Sequence, residues 1–158
     1  MAAQQTEQNS QSDPTAVNNP SQGNSLPAQP VEQTAGLPRI LIVEDDPILG
    51  RMYSEKFKSE GYEVISAQDG EAGLQKAKEG NIDMILLDVM LPRMSGIDLL
   101  EQLRKDDNAK DTKVIALTNL ADQSEKDRAI ALGVKDYLVK AMQTPEQVVT
   151  KVNSLLGR

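Results

Sequence analysis

The groups able to do chemistry in this sequence stand at the ends of short apolar runs. Glu44, Asp45 and Asp46 follow one such run, Asp88 follows the run Met84 to Leu87, Thr118 follows Leu117, and Lys140 follows Val139. Three crowded carboxylates repel one another unless something cationic sits among them. The chain has no histidine and no cysteine, so the available ligands are all oxygen, which favours a hard ion, and a shell shared between protein and water suits Mg²⁺. Such an ion together with Lys140 makes a pocket able to hold a phosphoryl group, with Thr118 donating a hydrogen bond to its oxygen. One carboxylate is then free to act as nucleophile. Asp88 is the best placed, because it ends a central apolar run and is followed by the turn Met90-Leu91-Pro92. Each acid alone has a plainer use, since acids after strands often cap helices, and Asp46 before Pro47 reads as a cap. Four strand ends that are polar in such complementary ways are harder to explain by capping.

The elements that must position these groups follow from the apolar pattern. Arg39 to Val43, Glu63 to Ala67, Met84 to Leu87, Lys113 to Leu117 and Asp136 to Val139 are rich in Ile, Val and Leu with polar or turn residues at their ends, and read as strands. Between them lie helical patterns. Asp46-Pro47 opens the first, Asp69 the second, Ser95 the third and Ser124 the fourth, which stops at Gly133. Thr144-Pro145-Glu146-Gln147 opens the fifth as a capping box. Five β-α repeats with short joins predict an α/β fold, a doubly wound parallel sheet with helices on both faces. In such sheets the ligand site lies beyond the carboxyl ends of the strands, which is where the acids, the threonine and the lysine fall.

Composition bounds the rest. A chain of 158 residues suits one domain with a real core. Residues 1–37 are rich in Gln, Asn, Ser and Pro with no Lys or Arg, and predict a disordered tail ahead of a domain over 38–158. A formal charge of -7 argues against a nucleic-acid surface. Without histidine, Ser-His and His-metal enzymes are excluded, and zero cysteine suits a reducing compartment. The longest apolar runs fall far short of the ~20 residues a membrane span needs, and the N-terminus lacks a signal-peptide pattern. The expectation is a cytoplasmic protein that does not engage a membrane. The last apolar pattern ends with the fifth helix, which leaves no room for an output domain.

The blocks ILIVEDDP, ILLDVMLPRMSG, VIALTN and DYLVKA, in this order, resemble the receiver domains of two-component response regulators, over Pro38 to Leu156. The resemblance implies a flavodoxin-like (βα)5 fold with strand order 2-1-3-4-5. It implies Asp88 as phosphoacceptor, Asp45 as direct Mg²⁺ ligand, Glu44 acting through water, and the Met90 carbonyl completing the protein's share of the shell. It further implies Thr118 as switch hydroxyl, Lys140 as the phosphate-pairing lysine and Tyr137 as the aromatic switch. The protein is then a signalling phosphoacceptor and not an enzyme. Its expected partners are a sensor histidine kinase or phosphotransfer protein and a downstream target protein, with the chain a monomer or a phosphorylation-dependent dimer. On phosphorylation, Thr118 is expected to move toward the phosphoryl group and Tyr137 to turn inward behind it.

Four positions depart from the family pattern. Ala141 follows Lys140 where receivers often have Pro, and Asn119 stands where a small residue usually follows the threonine. Met90 and Leu120, each two residues past a key group, are apolar at places that influence the hydrolytic water, which predicts slow self-dephosphorylation. Rival readings fit less well. An Asp-nucleophile phosphatase of the haloacid-dehalogenase type needs a second acid where Met90 stands. A flavin carrier needs stacking aromatics, and the chain has one Phe, three Tyr and no Trp. A receiver kept only as an unphosphorylated docking module has no need of the full set Glu44, Asp45, Asp88, Thr118 and Lys140.

Overall fold

Runs of Ile, Val and Leu with little polarity on either side suit strands buried on both faces. The computed structural model, which describes residues 36–120 and 122–158, places five of them: β1 Arg39–Val43, β2 Glu63–Ala67, β3 Met84–Asp88, β4 Lys113–Thr118 and β5 Asp136–Val139. All neighbours pair in parallel, in the order β2-β1-β3-β4-β5. Two strands run one residue longer than the apolar pattern suggested, so Asp88 and Thr118 belong to the ladder, with Asp88 opposite Leu117 and Thr118 opposite Val139. The tail expected over residues 1–37 lies, up to residue 35, outside the described residues.

Five helices cover the sheet: α1 Pro47–Ser59, α2 Gly70–Lys78, α3 Gly96–Leu103, α4 Gln123–Ala131 and α5 Pro145–Leu156. Asp46, Asp69, Ser95 and Thr144 cap them as expected, each accepting from backbone N–H groups of the first turn. The start of α4 is a correction. Asp122, not Ser124, is the cap, its carboxylate accepting the Glu125 N–H at 2.9 Å. Both residues are good cap types, and the backbone turns into the helix two residues earlier than the pattern suggested. Among the described residues, no helix is long and apolar enough to cross a membrane.

Strand alternation divides the core in two. Ile42, Leu86, Leu117 and Leu138 pack with Tyr53 and Phe57 of α1 and Val148 and Val152 of α5. Val43, Leu87 and Ala116 pack on the other face with Leu74, Leu99, Leu100 and Ala129 of α2, α3 and α4. Continued past the strand ends, the same alternation sends Glu44, Asp88 and Lys140 to the α1/α5 side. Thr118 goes to the α4 side, where Tyr137 packs against the second cluster.

Candidate functional site

Asp88 is the last residue of a strand in which every residue is buried, and is itself 2% exposed. A carboxylate this deep must have partners. Its Oδ2 accepts from the Lys140 ammonium at 2.8 Å and its Oδ1 from the Met90 N–H at 2.9 Å. Glu44 is almost as buried, and its Oε2 accepts from the same ammonium at 2.6 Å while Oε1 accepts the Asp46 N–H at 3.2 Å. Lys140 thus ties the ends of β1 and β3 from beyond β5. It does so with no cis peptide bond among the described residues, so Ala141 in place of Pro does not keep the lysine from the site.

The electrostatics follow from this burial. Desolvation pushes the Glu44 carboxyl above its ordinary range, opposed by the hydrogen bond from Lys140 and reinforced by the charge of Asp88. Burial alone would lower the Lys140 ammonium, but hydrogen bonds and charges from Asp88 and Glu44 outweigh it and hold the ammonium above an ordinary lysine.

Glu44, Asp45 and Asp88 each offer a carboxylate oxygen, and the three oxygens lie within 4.8 Å of one another. Asp45 is exposed where its two neighbours in the cluster are buried, leaving one side open to solvent and to a ligand. An all-oxygen donor set with an open side fits Mg²⁺, which keeps several waters. Asp46 stays out of the cluster as the cap of α1, its Oδ1 accepting the Ile48 N–H at 2.8 Å.

Thr118 is fully buried, and its hydroxyl donates to the Leu120 carbonyl at 2.8 Å. The Tyr137 hydroxyl is buried beside Thr118; burial raises its pKa and the Thr118 hydroxyl opposes the rise, although no well-aligned hydrogen bond joins the two. Among the exposed large apolar side chains, Met90 and Leu120 follow β3 and β4 by two residues, Ile48 stands in the first turn of α1 and Met142 ends the short 3₁₀ turn after β5, at 52%, 68%, 78% and 73% exposure. The apolar character expected of Met90 and Leu120 therefore faces solvent at the mouth of the site.

The sequence reading missed Gly96. A Cβ there would lie 2.3 Å from the Asp88 carbonyl oxygen and 2.8 Å from Val89 Cα, so only glycine lets α3 start against the end of β3. The Gly96 N–H donates to the Val89 carbonyl at 2.9 Å, fixing the turn that carries Met90. The glycine directly after the cap Ser95 was the available signal.

Comparison with known proteins agrees with this geometry. The family model described as response regulator receiver domain matches residues 40–153. The transcriptional regulator RpaA of Synechocystis sp. is 36% identical over 122 residues, 77% of this chain and 50% of RpaA. The chain spans about half the length of this and several other curated relatives that it matches. Among solved structures, chemotaxis protein CheY4 of Vibrio cholerae is 29% identical with a TM-score of 0.70, covering 75% of this chain and 98% of that one. The receiver domain of sensor histidine kinase PA1611 from Pseudomonas aeruginosa, solved with magnesium coordinated in its active site cleft, is 28% identical with a TM-score of 0.70, covering 78% of this chain and all of that one.

Proposed function

The chain belongs to the response regulator receiver domain family, and from that premise we propose that residues 38–158 form a phosphoacceptor domain whose acceptor is Asp88. Receiver domains are signalling proteins of two-component systems. The observation that carries the assignment to this residue is the placing of Asp88. It is the buried acid at a central strand end, held between an ammonium and a backbone N–H and beside two further acids. The donor is a phosphohistidine on a sensor histidine kinase or phosphotransfer protein, because the chain has no histidine of its own.

In the reaction, an Asp88 carboxylate oxygen forms a bond to phosphorus as the P–N bond to the donor imidazole breaks, and the imidazole leaves with the electron pair and takes a proton. Lys140 releases part of its contact with Glu44 and pairs with the phosphoryl oxygens. Glu44, Asp45, Asp88 and the Met90 carbonyl would hold Mg²⁺, which when bound neutralises charge on the carboxylates and the phosphoryl group. The group adds about -1.5 to -2 charge at pH 7.

The new charge then draws the Thr118 hydroxyl away from the Leu120 carbonyl. That removes a hydrogen bond of Thr118, beside which the Tyr137 hydroxyl is buried, and the resulting shift between two populations repacks the loop into α4 and the surface of α4, β5 and α5. A target protein reads that surface. Acids outnumber bases by 24 to 17 in the chain, which suits a protein contact better than DNA for this domain's own output. The setting is the cytoplasm, where histidine kinases draw on ATP.

The test is intact-protein mass after incubation with Mg²⁺ and phosphoramidate. One added phosphoryl group is expected in the wild type, and none in Asp88→Asn or with EDTA. Equal labelling of Asp88→Asn would overturn the assignment.

A further inference from the structure

The turn between β3 and α3, residues 89–95, carries Met90 and closes on itself. The Gly96 N–H returns to the Val89 carbonyl at 2.9 Å, and the Met94 N–H donates to the Pro92 carbonyl at 2.8 Å. The Val89 N–H ties the start of the turn to β4 through the Leu117 carbonyl at 2.9 Å. Val89 is buried, and the Leu91 and Met94 side chains pack on the core. Backbone closed and packed in this way passes a push at one residue on to the others.

One element outside β3 and α3 presses on this turn. Gly70, the first residue of α2, is buried. A Cβ built there would lie 2.3 Å from the Met94 carbonyl oxygen and 2.8 Å from Met94 Cβ. Gly70 does not have a left-handed φ, so glycine provides close approach here and not backbone freedom. Neither side of the contact gives way cheaply. The atom met is a backbone carbonyl of the closed turn, not the end of a flexible side chain. On its own side, α2 lies tight on β1 at Gly73, where a Cβ would be 2.8 Å from Val43 Cγ1, and it buries Leu74 and Ala77. Backing away would open the core.

Two close backbone approaches therefore bracket the turn, Gly96 at the Asp88 carbonyl and Gly70 at the Met94 carbonyl. Met90 stands between them. Its side chain is half exposed and gives its backbone little anchorage; its N–H is held by Asp88 Oδ1. Where the Met90 carbonyl stands thus depends on what fixes the two ends of the turn.

We propose that Gly70 is a positioning residue for the cation site: by letting α2 press on the Met94 carbonyl, it fixes the β3–α3 turn so that the Met90 carbonyl completes the oxygen set of Glu44, Asp45 and Asp88. The inference rests on the reading of that set as a Mg²⁺ site, and adds to it a helix that supplies no ligand. Mg²⁺ demands near-ideal octahedral geometry where Ca²⁺ accepts a flexible one. A displaced carbonyl should therefore cost Mg²⁺ more than Ca²⁺.

Gly70→Ala adds one methyl at the contact and removes no ligand. NMR titration of the unphosphorylated protein, followed at the Asp88 and Met90 amides, gives the affinity for each cation at a temperature where circular dichroism shows the variant folded. Mg²⁺ affinity is expected to fall about tenfold, the low end for a group that orients a metal ligand, and Ca²⁺ affinity by clearly less. The half-saturating Mg²⁺ for phosphorylation by phosphoramidate is expected to rise by the same factor, with the rate at saturating Mg²⁺ within about twofold of wild type. Asp69→Ala removes the cap on the Ala72 N–H and loosens the start of α2 without adding an atom. It is expected to weaken Mg²⁺ in the same direction by a smaller factor. Wild-type Mg²⁺ affinity in folded Gly70→Ala would overturn the inference. So would an equal or larger loss for Ca²⁺, which a general loosening of the fold would give. Should Gly70→Ala not fold, wild-type Mg²⁺ affinity in Asp69→Ala would overturn it. A wild-type protein whose Asp88 and Met90 amides do not respond to Mg²⁺ would overturn the underlying reading and this inference together.

Discussion

The Lys140 ammonium stands 2.8 Å from Asp88 Oδ2 with both side chains nearly excluded from solvent, 7% and 2% exposed. The same ammonium holds Glu44 at 2.6 Å, so a single cation balances two buried acids. Removing it leaves like charges facing each other in a poorly solvated place, which is the costly way to break a buried pair. Lys140→Met is expected to lose about 3 kcal/mol of stability at neutral pH without divalent cation. Urea unfolding with and without Mg²⁺ checks this, and Mg²⁺ should restore more stability to the variant than it adds to the wild type. Equal Mg²⁺ effects on both would contradict the shared role of ammonium and cation.

The same pairing sets a pH dependence. The folded-state pKa of Lys140 lies above its ordinary 10.5, because the Asp88 and Glu44 hydrogen bonds outweigh desolvation. The folded protein therefore holds this proton more tightly than the unfolded chain. The stabilisation is fully present below 10.5 and is lost as pH rises through the folded value. The difference in stability between wild type and Lys140→Met should stay constant from pH 8 to about 10 and shrink above the unfolded pKa. A difference that shrinks already between pH 7 and 9 would mean that the pairing does not hold the proton.

Gly96 and Asp88 are joined by a contact too close for any side chain. With a Cβ due 2.3 Å from the Asp88 carbonyl oxygen, Gly96→Ala must push α3 from β3 or bend the strand end. The expected cost is about 1–3 kcal/mol in urea unfolding. Phosphorylation by phosphoramidate should fall at least about tenfold, because a small displacement of a nucleophile is costly.

Arg93, in the turn between Asp88 and α3, has φ of 68° and an exposed side chain. Left-handed backbone is unfavourable for a residue with Cβ, so Arg93→Gly is expected to raise stability by about 0.5–1 kcal/mol in spite of glycine's looser unfolded state. An unchanged or lower urea midpoint would show that the guanidinium makes up for the backbone strain.

At the mouth of the site, neither Met90 nor Leu120 can orient a water toward the acyl phosphate, although both side chains are well exposed. The phosphorylated protein is expected to lose its group slowly, over minutes or longer. Leu120→Gln, which can hold a water, should shorten the lifetime about tenfold. Decay within seconds in the wild type, followed by intact mass without any phosphatase, would rule out a long-lived signal.

Much of this was legible in the sequence, and the reason is physical. Buried parallel strands need unbroken Ile, Val and Leu, so polar residues are pushed to their ends, and Asp88, Thr118 and Lys140 could be read as strand ends from the pattern alone. The four caps that were read correctly sit beside Pro or Gly or begin a run with one face apolar. The α4 cap was placed wrongly because Asp122 and Ser124 suit the role equally, and the backbone angles that decide between them leave no trace in residue types. Gly96 carried no signal beyond its neighbour Ser95, because its constraint comes from β3, eight residues back, through a contact that exists only in the folded chain. The inward hydroxyl of Tyr137 likewise reflects packing against α4, which spacing does not record.

The central claim is that Asp88 carries the phosphoryl group, and reductive trapping tests it at the level of the residue. Borohydride reduces an aspartyl phosphate to homoserine and leaves free carboxylates unchanged. Protein incubated with Mg²⁺ and phosphoramidate, then reduced, digested and sequenced by mass spectrometry, is predicted to show homoserine at position 88 and aspartate at 45 and 46. Homoserine at either of those positions, or none at 88 when intact mass shows an adduct, would contradict the account.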